Sequence, residues 1–286
     1  MPWNKADRQT YRGSDDSTQY VPSDEEWEVL EPLIPKQGRM GRPRVTCMRA
    51  IMSALIYMNS TGCQWRALDD RFPPASTVRY YFYKWQRLGV LDGILHALRR
   101  FARIESDRAP EPTVAIIDSQ SVKTTEGGGP RGYDAGKKVN GRKRHIAVDT
   151  EGNVLAMHVH AADIQDRDGA VPLILDVLEA VPTLRRIYAD GGYSGPKLAS
   201  ELRKHGIEDK LEIVRKPSDQ EGFVVLPKRW VVERTFAWLG RCRRLSKDYE
   251  STVASSLAWT QLAACRHLAR RIARARVRPK ENIVPA

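Results

Sequence analysis

No stretch of this 286-residue chain stays apolar for the ~20 residues a bilayer-spanning helix needs. The mean hydropathy is −0.50. Met1-Pro-Trp-Asn-Lys-Ala-Asp-Arg8 lacks the apolar centre of a signal peptide. These absences argue against a membrane or secreted protein and for a cytoplasmic one. Cysteine is scarce: Cys47, Cys63, Cys242 and Cys265 form no C-x-x-C pair, and no histidine stands at zinc-finger spacing. Reduced thiols are expected, with neither a disulfide framework nor a zinc module. His158 and His160 alternate as on one strand face, with no third ligand in view. Internal repeats and low-complexity tracts are missing too.

Positive charge is what the chain has in excess. Lys and Arg number 47 against 35 Asp and Glu, giving +12 and an isoelectric point near 9.7. Such a balance calls for a polyanionic partner, and nucleic acid comes ahead of an anionic membrane surface.

The chain is long enough for two domains. Residues 1–22 read as a loose polar arm. Ser23-Asp-Glu-Glu26 has the pattern of a capping box, and Trp27 and Leu30 follow on one helical face. Ile51, Met52, Leu55 and Ile56 mark a second helix, stopped at Gly62. A short helix around 64–70, a helix capped by Ser76 and a helix carrying Leu91, Ile94, Leu95, Leu98 and Phe101 complete an all-helical unit over 23–104. Residues 105–112, rich in charge and proline, read as a linker. From 113 to 286 the pattern changes to short β-type runs at 114–118, 145–149, 154–160, 187–190 and 211–216, interleaved with helices. That order predicts an α/β fold, a mixed sheet flanked by helices.

Three acids stand out. Asp118 ends the run Thr113-Val-Ala-Ile-Ile-Asp118, Asp190 ends Arg186-Ile-Tyr-Ala-Asp190, and Gly191-Gly192 follows it. Glu233 flanks the apolar stripe Val232, Phe236, Leu239 of a helix that also carries Arg229 and Arg234. Each has a plain structural alternative: a turn cap, a loop residue, and an i−4 partner of Arg229. Together they have the makings of a carboxylate site for divalent cations. Phosphoryl transfer with two Mg²⁺ ions asks a protein for a few fixed carboxylates and little more.

Dense basic segments adjoin these acids. Lys137, Lys138, Arg142, Lys143 and Arg144 follow the first, and Arg241, Arg243, Arg244 and Lys247 follow the third. Both are expected to meet DNA phosphates, as are Arg229 and Arg234 on the helix of Glu233. A third run, 266–278, reads equally as a solvated face. Gly127-Gly-Gly-Pro130 reads as a mobile loop. In the helical unit, 64–87 has the layout of a helix-turn-helix. Arg79, Tyr80, Tyr83, Lys84 and Arg87 on its second helix, with Arg42 and Arg44 in the loop before it, are candidate DNA contacts.

Ala115-Ile-Ile-Asp118-Ser-Gln-Ser-Val-Lys123, Gly141-Arg-Lys-Arg-His145-Ile-Ala-Val-Asp149, Ala189-Asp190-Gly-Gly-Tyr193 and Arg229-Trp-Val-Val-Glu233-Arg-Thr-Phe-Ala-Trp238 together resemble the DDE transposases of small bacterial insertion sequences, the IS-five-like subgroup in particular. Trp27, Gly41-Arg-Pro-Arg44, Gly62-Cys-Gln-Trp65 and the 80–85 stretch are similar to that subgroup as well. The resemblance implies an RNase H-like catalytic domain, with Asp118, Asp190 and Glu233 as ligands of two Mg²⁺ ions that Mn²⁺ can replace. It implies cleavage of double-stranded DNA at inverted-repeat ends, transfer of the 3′ ends to a target, and a homodimer or larger assembly on DNA. The Tyr-x-x-Arg-x-x-x-Glu-x-x-x-x-x-x-Lys signature of related groups is met at Arg229 and Glu233. Leu226 and Gly240 stand at its tyrosine and lysine positions, with Arg241 next door. A nuclease that does not join strands, and a non-catalytic DNA-binding regulator, are the alternatives.

Overall fold

Capping explains where the first helix begins. In a computed structural model of the protein, which describes residues 20–38, 43–214 and 229–277, the Ser23 hydroxyl accepts from the Glu26 amide at 3.2 Å and starts α1 (Asp24–Leu30). Glu26 does not complete the box; its carboxylate pairs with Arg270 at 2.9 Å. α2 (Met48–Thr61) ends at Gly62, whose φ of 72° suits only glycine without strain. α3 (Ala75–Arg87) is preceded by Pro74, so Ser76 lies inside the first turn and is not its cap. α4 (Val90–Glu105) buries Leu91, Ile94, Leu95 and Leu98 but leaves Phe101 41% exposed, contrary to the stripe expected from sequence.

The sheet is built from β1 (Val114–Lys123), β2 (Gly132–Asp134), β3 (Val139–Val148), β4 (Val154–Ala161), β5 (Arg186–Ala189) and β6 (Leu211–Ile213). Between them and after them run α5 (Asp166–Ala180), α6 (Pro196–Lys204), α7 (Arg229–Gly240) and α8 (Val253–Val277). β1, β3 and β4 are antiparallel neighbours, and β5 and β6 add in parallel on the other side of β1. The parallel strands need helical crossovers, which α5 and α6 supply. This mixed sheet covered by helices is an RNase H-like architecture. β2 had no signal in the sequence, and β3 begins six residues before the expected 145.

Side chains on the two faces alternate as a strand's period of two requires. Ala115, Ile117, Ala147, Ile187 and Ala189 pack with α5 and α6. Ile116, Ile146, Val148, Met157 and Tyr188 face a core that holds α7, α8 and all four N-terminal helices. The helical unit and the sheet thus share one continuous core. Trp259 of α8 is its centre, stacked on Phe82 at 4.4 Å and tilted against Trp65 at 5.8 Å. A buried ion pair, Arg103 with Asp149 at 2.6 Å, ties α4 to the β3–β4 turn. The segment after α4 is therefore anchored, since Arg103 also donates to the Ala109 carbonyl at 2.7 Å.

Candidate active site

Asp118 sits in mid-strand, not at a strand end, because β1 continues to Lys123 along β3. Its parallel pairing with β5, however, stops at Ile116 opposite Tyr188. Two residues beyond that last pair lie Asp118 on one strand and Asp190 just after the other. The splitting of the two strands brings the carboxylates level. Asp190 caps the turn Gly191–Tyr193, accepting from the Gly192 amide at 2.8 Å. A Cβ on Gly192 would lie 3.0 Å from that same carboxylate, a tight contact that would push against Asp190.

Glu233 reaches the same edge from α7, whose Val232, Phe236 and Leu239 are buried as the spacing predicts. One nitrogen of Arg229 lies 3.3 Å from Asp190 and 3.4 Å from Glu233, so a single guanidinium spans two of the three acids. The i−4 pair is present, and through Arg229 it adjoins Asp190. Among the described residues no group of three acidic, histidine or cysteine side chains is arranged so that it could hold a metal ion. The donor set nonetheless suits a hard cation. Burial, reinforced by the Asp190 charge, pushes Asp118 up to about 6 against the pull of Lys137 and Arg229.

The third residue of the Asp190 turn, Tyr193, was not anticipated as a site residue. It is buried, and its hydroxyl lies 2.6 Å from Nε2 of His145, whose Nδ1 lies 3.1 Å from Nε2 of His160. Ser119, next to Asp118, donates to Asp166 at 2.7 Å and accepts from Lys137 at 2.8 Å. The spacing of His158 and His160 on β4 does not make them a pair: His158 binds Asp176 at 2.7 Å and His160 turns to His145. The only sequence signal for this network was that His145, Tyr193 and Ser119 lie inside the quoted motifs.

The basic segments divide sharply. Arg142, Lys143 and Arg144 were expected on DNA, but all three are buried in β3. Arg142 pairs with Asp248 at 3.0 Å, Lys143 with Asp166 at 2.7 Å, and Arg144 donates to the Leu245 carbonyl at 2.8 Å. Their charges are spent on internal acceptors. Arg244 is likewise buried, paired with Glu250 at 2.6 Å and stacked over Trp259 at 4.2 Å. Arg234 lies between the rings of Trp230 (4.3 Å) and Trp238 (4.5 Å) and donates to the Glu151 carbonyl. By contrast Lys138, Arg241 and Lys247 are exposed, as are Arg44, Arg79, Tyr80, Tyr83 and Arg87, with Lys84 half-buried against Tyr80. Arg42 and Leu226 lie outside the described residues. The 127–130 loop is exposed but held at its end: a Cβ on Gly129 would strike the Ser251 carbonyl, and the Pro130 carbonyl accepts from Arg142.

Between α7 and α8 runs a cleft of about 560 Å³ lined by Arg241, Arg266, Arg270, Arg271 and Arg274. Glu26 and Glu151 answer two of these, Arg270 and Arg271. Burial, with the surrounding arginines, depresses His267 in its wall to about 4.

Residues 109–268, more than half the chain, match the family model of the transposase DDE domain, and residues 23–95 match that of IS4/5-family transposases. This chain belongs to the IS4/5 family of DDE transposases. The transposase is 33% identical over 136 residues to a Burkholderia cepacia protein named as a transposase for insertion sequence element IS402, across 44% of this chain and 61% of that protein. An uncharacterized Sinorhizobium fredii protein, y4sN, is 33% identical over 82 residues, across 29% of this chain and 66% of its own. The matched part spans less than two thirds of either relative. Among the described residues no helix of the transposase is long and apolar enough to cross a membrane.

Proposed function

We propose that this transposase cuts double-stranded DNA at the ends of its insertion sequence and joins the freed 3′ ends to a target, with Asp118, Asp190 and Glu233 as the catalytic carboxylates. The observation that supports the reading is one Arg229 nitrogen lying 3.3 Å from Asp190 and 3.4 Å from Glu233, with Asp118 near enough to feel the Asp190 charge. Asp118 and Asp190 would hold Mg²⁺ or Mn²⁺, and Glu233 would complete the site for a pair of ions. When bound, such a pair supplies an activated oxygen nucleophile and a stabilised leaving oxygen. Asp118 gains a counter-charge that its burial and the neighbouring Asp190 otherwise deny it. Arg229 must release Glu233, Asp190 or both, and is then free for a phosphate oxygen. The DNA runs from this edge over exposed Lys138, Arg241 and Lys247 and along the arginine cleft. The N-terminal helices read element ends through Arg79, Tyr80, Tyr83, Lys84 and Arg87, with Arg42 and Arg44 beside them. Pairing two ends calls for at least a dimer, acting in the bacterial cytoplasm where the DNA lies.

The test uses labelled element ends. Asp118→Ala, Asp190→Ala and Glu233→Ala are each expected to abolish Mg²⁺-dependent cleavage while end binding in EDTA persists. Normal cleavage by a folded variant removes that residue from the mechanism. A pre-cut end should yield joined products; hydrolysis without joining would make the protein a nuclease.

A further inference from the structure

Glu233 is exposed, and among the described residues its ion-pair partner, Arg229, belongs to the same helix. Its place is therefore set by where α7 lies. Val231, Val232, Phe236 and Leu239 bury that helix against the sheet. Apolar burial has no direction, however, and leaves a helix free to roll or slide. The part-exposed pair between Arg229 and Asp190 adds a weak tie. Directional contacts come from the two residues after Glu233. Arg234 Nη2 donates to the Glu151 carbonyl at 3.0 Å. Thr235 Oγ1 lies 3.1 Å from the Gly152 carbonyl and 3.0 Å from that of Val231, so its one hydrogen is shared between the turn and its own helix.

Both sides of this dock are stiff. On the helix, the rings of Trp230 and Trp238, four residues to either side, hold the Arg234 guanidinium at 4.3 and 4.5 Å. A displaced acceptor would carry α7 with it, because the side chain has no room to swing. On the sheet, the β3–β4 turn is organised by buried Asp149. Its carboxylate accepts from the amides of Glu151 and Asn153 at 2.9 Å each, from the Asn153 side chain at 2.8 Å and from Arg103 at 2.6 Å. Helix and turn also approach closely. Gly152 has a φ of 86°, and a Cβ on it would lie 2.8 Å from Thr235 Oγ1 and 3.1 Å from the Trp238 ring.

We propose that Arg234 is a positioning residue: held between two tryptophans, it fixes α7 on the β3–β4 turn and so sets where Glu233 stands. The proposal rests on the reading of Glu233 as a catalytic carboxylate. Its test measures the placement of α7 and the cleavage rate separately, on the full-length protein. For placement, Cys47 and Cys63 are replaced by Ser, leaving the buried Cys242 and Cys265. Nitroxide labels go on Ala237→Cys of α7 and Glu179→Cys of α5, exposed positions on helices that cover opposite faces of the sheet. Pulsed electron resonance then gives the distance between them. Arg234→Met keeps bulk between the rings and removes the donor. It should shift or broaden that distance. In the unlabelled protein it should slow single-turnover cleavage at saturating DNA by ~10–100-fold, as a small misplacement does, and leave affinity for element ends in EDTA unchanged. Rates are taken well below each variant's melting temperature, so lost stability alone does not move them. Gly152→Ala, which leaves α7's own sequence intact, should act in the same direction, and it carries both readings if Arg234→Met does not fold. An unchanged distance overturns the proposal and leaves Glu233 standing. A shifted distance with undiminished cleavage overturns both.

Discussion

Asp118 is the residue at which fold and function conflict. Burial and the neighbouring Asp190 lift its pKa from 3.8 to about 6 in the metal-free protein. A carboxyl raised on folding stabilises the native state below its unfolded value, and that contribution disappears as pH climbs through about 6. Asp118→Asn, which cannot ionise, should therefore be more stable than wild type at about pH 8, by up to ~3 kcal/mol, and nearly equal to it below about pH 4. Urea denaturation of the two proteins at each pH measures this; equal stabilities throughout would mean that Asp118 is not desolvated. For the same reason cleavage by the wild type should rise as pH passes about 6, and cation binding near that pH should release a proton. The residue types of this site were legible in the sequence: two acids beside apolar β-type runs and one flanking a buried helical stripe. The burial of Tyr193 was not, because the partner of its hydroxyl, His145, lies 48 residues away.

At the level of elements, β3 is the instructive case. Read as a string of cations, 142–144 looks like a surface for phosphates. Read in the fold, it is a central strand flanked by β1 and β4, and all three side chains are buried. The deciding partner of Arg142, Asp248, lies 106 residues away and arrives with the segment after α7. Local pattern could not reveal that acid. Replacing Arg142 by Met would leave Asp248 buried without its counter-charge. We expect a loss of ~3–5 kcal/mol in unfolding free energy, with the salt dependence of DNA binding unaltered in whatever protein remains folded. A change in the salt dependence would instead return Arg142 to the DNA surface. The helices were easier to foresee. Gly62, Gly206 and the apolar stripes stop or face them as their chemistry demands, while weak caps, such as Pro74 where Ser76 was expected, shift a boundary by a residue or two.

For the molecule as a whole, the shared core means that the N-terminal helices and the sheet should unfold together. Trp259→Ala, which empties the space between Phe82, Trp65 and Arg244, is expected to cost ~3–5 kcal/mol. Far-ultraviolet circular dichroism and tryptophan fluorescence should report a single shifted transition; two separated steps would mean the halves are independent. The arginine cleft belongs to this scale too, since both its walls come from the C-terminal helices packed over the sheet. Arg241 and Arg274 are exposed, with no ion pair between either of them and an acid among the described residues. Replacing both by Gln should lower the slope of log binding constant against log salt by roughly two, one per lost phosphate contact. Gel-shift titrations over a salt series give that slope, and an unchanged value would exclude the cleft from the DNA path.

Composition and order alone determined the excess of positive charge, the change from helical to mixed pattern near residue 113, the three acids and the family resemblance. Those properties depend on residue type and short-range periodicity, which a linear chain carries in full. Tertiary structure decided which cations face solvent, that two apparent domains share one core, and that Arg229 bridges Asp190 and Glu233. Such outcomes turn on burial and on partners scores of residues away, where desolvation makes a paired buried arginine and an exposed one different chemical objects.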